Sequence, residues 1–186
     1  LSLKLLVDPE TDEILGAQGV GESGVDKRID VIATAITGGL LASELADLEL
    51  AYAPQFGSAK DPVNMLGHIA ANLRDGLTET IQWHEVDAAV AAGATVLDVR
   101  TQSEHDANAI PGSMLIPLDD LRDRLDEVPA GDLVVHCAVG LRGYLATRVL
   151  EQHRNGQGWG RIRNLDGGMK TWLAGSAAAA CDVSEA

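Results

Sequence analysis

The stretch VVHCAVGLRGYLATRVL, residues 134–150, decides how the second half of this chain is read. An apolar strand, Asp132 to His136, ends directly at Cys137; a loop containing Gly140 leads to Arg142, and a helix follows over Tyr144 to His153. This order brings the N–H groups of the loop and the positive end of the helix dipole to one point, at the cysteine. Both favour a thiolate over a thiol, and Arg142 adds a full positive charge, so the sequence predicts an activated cysteine. Gly140 is the natural residue where the loop needs a positive φ. The same N–H groups would hold a bound anion. An inert cysteine buried at a strand end is the alternative, and the chemistry requires a sulfur that solvent can reach.

Working outward, short apolar strands alternate with helices. Thr95–Asp98 and Arg161–Leu165 complete a set of strands with Asp132–His136. HEVDAAVAAG (residues 84–93), Leu118–Glu127 and Gly168–Ala174 have helical patterns, and Thr101 with Glu104 forms a capping box that opens another helix. Strands apolar on both faces, alternating with helices, imply an α/β domain with a parallel sheet covered on both sides, over residues 80–175. Residues 176–186, small and polar, are expected to be a flexible tail. Residues 1–76 have a different texture. Two strands, Leu3–Val7 and Ile14–Val20, flank a polar turn, and Val25, Ile29, Ile32 and Ile36 mark a helix closed by Gly38-Gly39. Ser43 starts a short helix, Leu48–Tyr52 is a candidate strand, and Asp61-Pro62 opens a further helix. Gly19-Val-Gly-Glu-Ser-Gly24 matches G-x-G-x-x-G, but the strand before it belongs to a hairpin and no ribose-binding acid follows, so it reads as a structural turn.

With 186 residues, 46% hydrophobic and 23% charged, the chain has a globular composition. A net charge of −14 disfavours nucleic acid and anionic membranes as partners. No apolar run reaches the roughly 18 residues of a membrane span. The start, LSLKLLVDPE, has no signal-peptide pattern, and a first residue other than Met suggests a fragment or processed product. Five arginines and one acid, Glu151, between Cys137 and Arg163 form a basic patch, which suggests a small anionic substrate. Two cysteines, Cys137 and Cys181, are too few for a disulfide framework and point to the cytoplasm. No cluster has metal-ligand spacing, so no metal is expected. Cys181 lies in the tail without basic neighbours. Trp83, Trp159 and Trp172 read as packing residues.

The Cys137 block resembles the rhodanese homology domain. LDVR (Leu97–Arg100), continuing into EHDANAIPGS and LIPL, resembles that family's first signature, and NLDGGMKTW (Asn164–Trp172) its last. Asn108-Ala109 stands where the family usually has Gly-His. The resemblance implies a sulfurtransferase: Cys137 takes sulfur from thiosulfate, a persulfide or coenzyme A persulfide, and holds it as a persulfide cradled by the N–H groups of Ala138, Val139, Gly140, Leu141, Arg142 and Gly143. Arg142 holds the anionic donor, while Asp98 and Arg100 brace the fold. His136-Cys137 is similar to the H-C-x5-R phosphatases, but only four residues separate Cys137 from Arg142, and Gly143 stands where those enzymes often place Ser or Thr. Phosphatase or arsenate reductase is therefore the weaker reading, and a non-catalytic binding or substrate-delivery module is the other.

ETDEILGAQGVGESGVDKRIDVIATAI (residues 10–36) with LELAYAPQFGSAKDPVNM (residues 48–65) resembles a partial C-terminal dimerisation domain of the pyridine nucleotide-disulfide oxidoreductases, an α+β unit over residues 1–76. The branch is that of coenzyme A-disulfide reductase and NADH oxidase, some members of which carry a C-terminal rhodanese domain. The resemblance implies FAD, NAD(P)H and coenzyme A for a full-length parent, with no cofactor in this chain itself, and a homodimer. It also implies that Tyr52 reaches a partner subunit's redox site. Phe56 and His68 read as structural.

Overall fold

The computed structural model describes residues 1–154 and 160–184, which fall into two compact units, Leu1–Leu77 and Thr78–Ala186. In the first unit, β1 (Ser2–Val7) and β2 (Ile14–Val20) pair antiparallel. The turn between them is set by the Asp8 carboxylate, which accepts from the Glu10 and Thr11 amides at 2.8 and 2.9 Å. α1 (Val25–Gly38) buries Ile32 and Ala35 against Ile14, Leu45 and Val63. The Gly19–Gly24 stretch is indeed a filled turn: a side chain at Gly19 would meet Val25 and Leu3, and one at Gly21 the backbone of Leu1.

After a 3₁₀ turn at Ser43–Asp47, α2 (Pro62–Arg74) begins at the Asp61 cap, whose carboxylate accepts from the Val63 amide at 3.0 Å. Arg28 pins the same carboxylate in a buried ion pair of 2.9 Å. The candidate strand Leu48–Tyr52 is irregular. The Asn64 side chain takes the carbonyls of Leu45, Ala46 and Leu48, so this segment is held by a side chain instead of a neighbouring strand.

The second unit is a parallel five-stranded sheet flanked by helices, as the pattern of apolar runs implied. Its strands are β3 (Glu79–Ile81), β4 (Thr95–Asp98), β5 (Met114–Leu115), β6 (Leu133–His136) and β7 (Ile162–Leu165), in spatial order β3-β7-β6-β4-β5. Helices α3 (Val86–Ala91), α4 (Gln102–Ala107), α5 (Leu141–Arg154) and α6 (Gly168–Ser184) complete it. Alternation along the strands sorts the core into two faces. Leu97, Leu133, Val135 and Cys137 pack with Ala146 and Leu150 of α5. Val96, Val134 and Leu165 pack with Val86 and Ala89 of α3 and with Met169 of α6, and Trp83 and Trp172 cover this side.

Three expectations need correction. The edge strands β3 and β5, three and two residues long, were not anticipated, because runs so short carry no period. Leu118–Glu127 is two 3₁₀ turns, Leu121–Asp123 and Leu125–Glu127, broken at Arg124 (φ −120°, ψ 22°), while Leu121, Leu125 and Val128 still face one core. Residues 176–186 are not a flexible tail throughout: α6 runs past Ala174 to Ser184. Gly175 lies against the Trp83 ring, where a side chain would not fit, and the alanines at 177–180 are the strongest helix formers, so the helix continues. Trp159 and the side chain of Cys181 lie outside the described residues.

Candidate functional site

Cys137 follows the last residue of β6, the central strand of the sheet, and the loop from Ala138 to Gly140 carries the chain into α5. The Gly140 N–H donates to Cys137 Sγ at 3.1 Å. It can do so because Gly140 adopts φ +111°, a conformation closed to residues with a Cβ. Two other elements hold the loop from beneath. At the start of α6, the Met169 and Lys170 amides donate to the Cys137 and Ala138 carbonyls at 2.8 and 3.1 Å. The Asn164 side chain, at the end of β7, donates to the Gly140 carbonyl at 3.1 Å. Gly143 is buried on the first turn of α5, where any side chain would strike Asn164 Oδ1. The C-terminal segment NLDGGMK is thus the floor of the cysteine loop.

The structure brings Arg142 to this loop, but with a partner that sequence reasoning missed. Glu104, on α4, binds the guanidinium through both carboxylate oxygens, at 2.8 and 2.6 Å. The same carboxylate closes the capping box by accepting from the Thr101 amide at 3.0 Å. Hydrogen bonding to Arg142 holds the Glu104 pKa down at about 2. The Arg142 pKa is raised, first by Glu104 and further by the nearby Cys137 sulfur. Arg142 therefore lies between an acid and the thiol. Only the capping half of Glu104's role was visible in the sequence, since its partner lies 38 residues away.

Most of the expected basic patch is not free positive surface. Arg148 pairs with Glu151 at 2.7 Å and Arg161 with Glu79 at 2.7 Å, while Arg154 donates to the Pro129 carbonyl at 2.7 Å. Acids contributed by α4 and β3, far off in sequence, help to neutralise a run that looked basic.

Behind the loop, on the opposite sheet face, lies a buried polar cluster. Asp98 accepts from Arg100 at 2.7–3.1 Å and contacts His105 Nδ1 at 2.9 Å. Burial would raise the Asp98 pKa, but Arg100 and His105 more than offset this and lower it. Arg100 also donates to the side chain and carbonyl of Asn108, at 3.1 and 2.6 Å, so the Asn108-Ala109 variant of the turn supplies its own acceptors. His136 is fully buried, its Nε2 is 3.7 Å from Asp98, and burial pushes its pKa down.

Two site expectations are not met. Cys137 is 0% exposed, so the thiol is not open to solvent in this conformation. It belongs to the buried core on the α5 side, with Val135 and Ala146. The loop in front of it is accessible: Val139 and Leu141 are 63% and 58% exposed. Nor is there a full ring of amides about the sulfur; among the described residues, the loop amide that reaches it is that of Gly140. In the first unit, Tyr52 is 56% exposed on an irregular loop. Phe56, expected to pack, is 83% exposed, and His68 is exposed on α2. No group of side chains among the described residues could hold a metal ion, and no described helix is long and apolar enough to cross a membrane.

A thiol at the end of a central parallel strand, joined by a short loop to a helix N-terminus, defines a cysteine-loop α/β domain. The chain belongs to the Rhodanese-like domain family, which matches residues 82–175. Residues 1–62 match the Pyridine nucleotide-disulphide oxidoreductase, dimerisation domain. Coenzyme A disulfide reductases of Staphylococcus aureus and Staphylococcus haemolyticus are each 44% identical over 70 and 71 residues, 38% of this chain. The crystal structure of reduced Bacillus anthracis CoADR-RHD aligns over 91% of this chain at 48% identity, with a TM-score of 0.86. A NAD-dependent persulfide reductase from A. fulgidus aligns over 91% at 42% identity and TM-score 0.79. The chain spans 16% of the length of those curated relatives and 30% of those two structures.

Proposed function

We propose that the second unit is a sulfurtransferase that carries sulfane sulfur as a Cys137 persulfide. The observation that supports this most directly is the Gly140 N–H aimed at Sγ from a loop anchored at both ends, beside the Arg142 guanidinium. The thiolate attacks the outer sulfur of a donor, forming one S–S bond as another breaks. Sulfite leaves from thiosulfate with the electron pair, or a thiolate leaves from an organic persulfide. An acceptor nucleophile then attacks the outer sulfur and returns the Cys137 thiolate. Since Cys137 is buried, the loop residues Val139–Leu141 must move aside to admit the donor. In this reading Arg142 orients an anionic donor, and Ala138 to Gly143 cradle the persulfide.

In a longer parent protein the rhodanese unit would exchange sulfur with a flavin site, and the first unit would join two subunits. The exposed Phe56 and Tyr52 are consistent with a homodimer in which Tyr52 faces the partner's redox centre. FAD, NAD(P)H and coenzyme A would belong to other domains of such a parent. The glycine turn at 19–24 is filled by Val25, Leu3 and Leu1, which leaves no room for a pyrophosphate there. A cytoplasmic location fits a thiol kept reduced.

The test is intact mass after exposure to thiosulfate or an organic persulfide, followed by cyanide. A gain of about one sulfur atom on Cys137, released as thiocyanate, is expected. No gain with either donor, or an equal gain by Cys137→Ala, leaves only the non-catalytic docking module.

A further inference from the structure

Resting on the sulfur-transfer reading, we propose that Glu104 is a positioning residue that selects among sulfur donors. By occupying the Arg142 guanidinium, it discriminates against donors whose leaving group is an oxyanion, such as thiosulfate, in favour of donors with an uncharged organic body.

Three independent observations lead there. A guanidinium recognises an oxyanion through paired, parallel N–H donors, and Glu104 already takes such a pair with both its oxygens, at 2.8 and 2.6 Å. An incoming sulfonate must displace that carboxylate or approach an arginine whose charge is already balanced. Of the other arginines of the run, Arg148 and Arg161 have their own carboxylates, Arg154 has backbone carbonyls, and Arg163 lies within β7 with its Nε buried. The loop's exposed side chains, Val139 and Leu141, are apolar, and Leu145 one turn along α5 is exposed too. The mouth therefore offers contact to an aliphatic or aromatic body and little net charge to a dianion.

The geometry also supplies a clean perturbation. Glu104 has two tasks, and Glu104→Gln separates them: an amide oxygen still accepts from the Thr101 N–H at the cap, as Gln does in natural capping boxes, but the charge on Arg142 is no longer cancelled. Steady-state kinetics with cyanide as acceptor would compare thiosulfate with benzyl persulfide. Glu104→Gln is expected to lower KM for thiosulfate by about tenfold, with kcat and the benzyl persulfide KM changed by less than about twofold, since only a partly exposed charge pair is altered. Glu104→Ala, which also loses the cap, should show the same thiosulfate shift at a lower unfolding midpoint. In an Arg142→Gln background, Glu104→Gln should give no gain. A thiosulfate KM that stays put or rises in both Glu104 variants, or equal shifts for both donors, overturns this inference alone. If the native chain gains no sulfur from either donor, the sulfur-transfer reading falls, and the inference with it.

Discussion

Gly168→Ala tests whether the C-terminal segment is the floor of the cysteine loop. Gly168 has φ +59°, and a Cβ there would lie 2.5 Å from the Cys137 carbonyl oxygen and 2.9 Å from Val139 N. Neither neighbour is a flexible side chain. Two costs add: the left-handed conformation, about 1 kcal/mol for Ala, and overpacking against fixed backbone, about 1–3 kcal/mol. Gly112→Ala separates them, because Gly112 has φ +76° in the same unit and a Cβ there would meet nothing within 4 Å. It should lose only the first part, about 1 kcal/mol. Urea unfolding followed by tryptophan fluorescence is the assay. All three tryptophans, at 83, 159 and 172, lie in the second unit, so the signal reports that unit alone. Relief of the overlap by displacement of the loop should also speed alkylation of Cys137 by iodoacetamide, which the native fold slows by burying the sulfur. If Gly168→Ala costs no more than Gly112→Ala and leaves the alkylation rate unchanged, the close approach of α6 to the loop has no energetic consequence and the reasoning fails.

Asp98→Asn leaves Arg100 buried without its counter-charge and should cost about 3 kcal/mol in the same urea titration, as broken buried pairs do; a loss under about 1 kcal/mol would show that Asn108 alone satisfies Arg100. The folded pKa of His136 lies below its ordinary 6.5, so the unfolded chain takes up that proton first and stability should decline as pH falls below 6.5. His136→Phe should flatten that slope, and an unchanged slope would move its origin elsewhere. The depressed pKa of Glu104 works at lower pH: its contribution is present above 4.5 and is lost as pH falls towards 2, a limb that Glu104→Gln should lack. Phe56→Ser should shift the unfolding midpoint of the first unit by less than about 0.5 kcal/mol, because the ring is exposed, and should weaken any self-association seen by light scattering.

The parallel sheet was legible because β4 and β6 are apolar on both faces, a pattern that only a doubly covered strand tolerates. The capping box at Thr101 and the Asp61-Pro62 start were legible for a similar reason: each is a short-range hydrogen-bonding device written into four or fewer consecutive residues. The failures share the opposite cause. β3 and β5 exist because β7 and β4 offer them ladder partners, and Leu48–Tyr52 is irregular because Asn64, 16 residues from Leu48, claims its carbonyl. Local pattern carries no trace of such distant partners. The end of α6 escapes sequence reading for another reason: the stretch after Ala174 is small and polar and shows no apolar period, while the missing side chain of Gly175 lets the helix lie against Trp83.

The same division runs through the site. Cys137, Gly140 and Arg142 are close in sequence, and their convergence follows from the strand–loop–helix order alone. The charge balance around them does not. Counted along the chain, the segment after Cys137 is basic, but a carboxylate on α4 and another on β3 arrive through the fold and pair with Arg142 and Arg161. Charge density along a sequence therefore measures what must be neutralised, and only the tertiary structure shows whether solvent, protein or substrate does it. Here protein does. Under the proposed function, an oxyanionic donor gains from Arg142 only the difference between its own hydrogen bonds and those of Glu104, whereas a donor without an oxyanion leaves that pair intact and loses nothing by it.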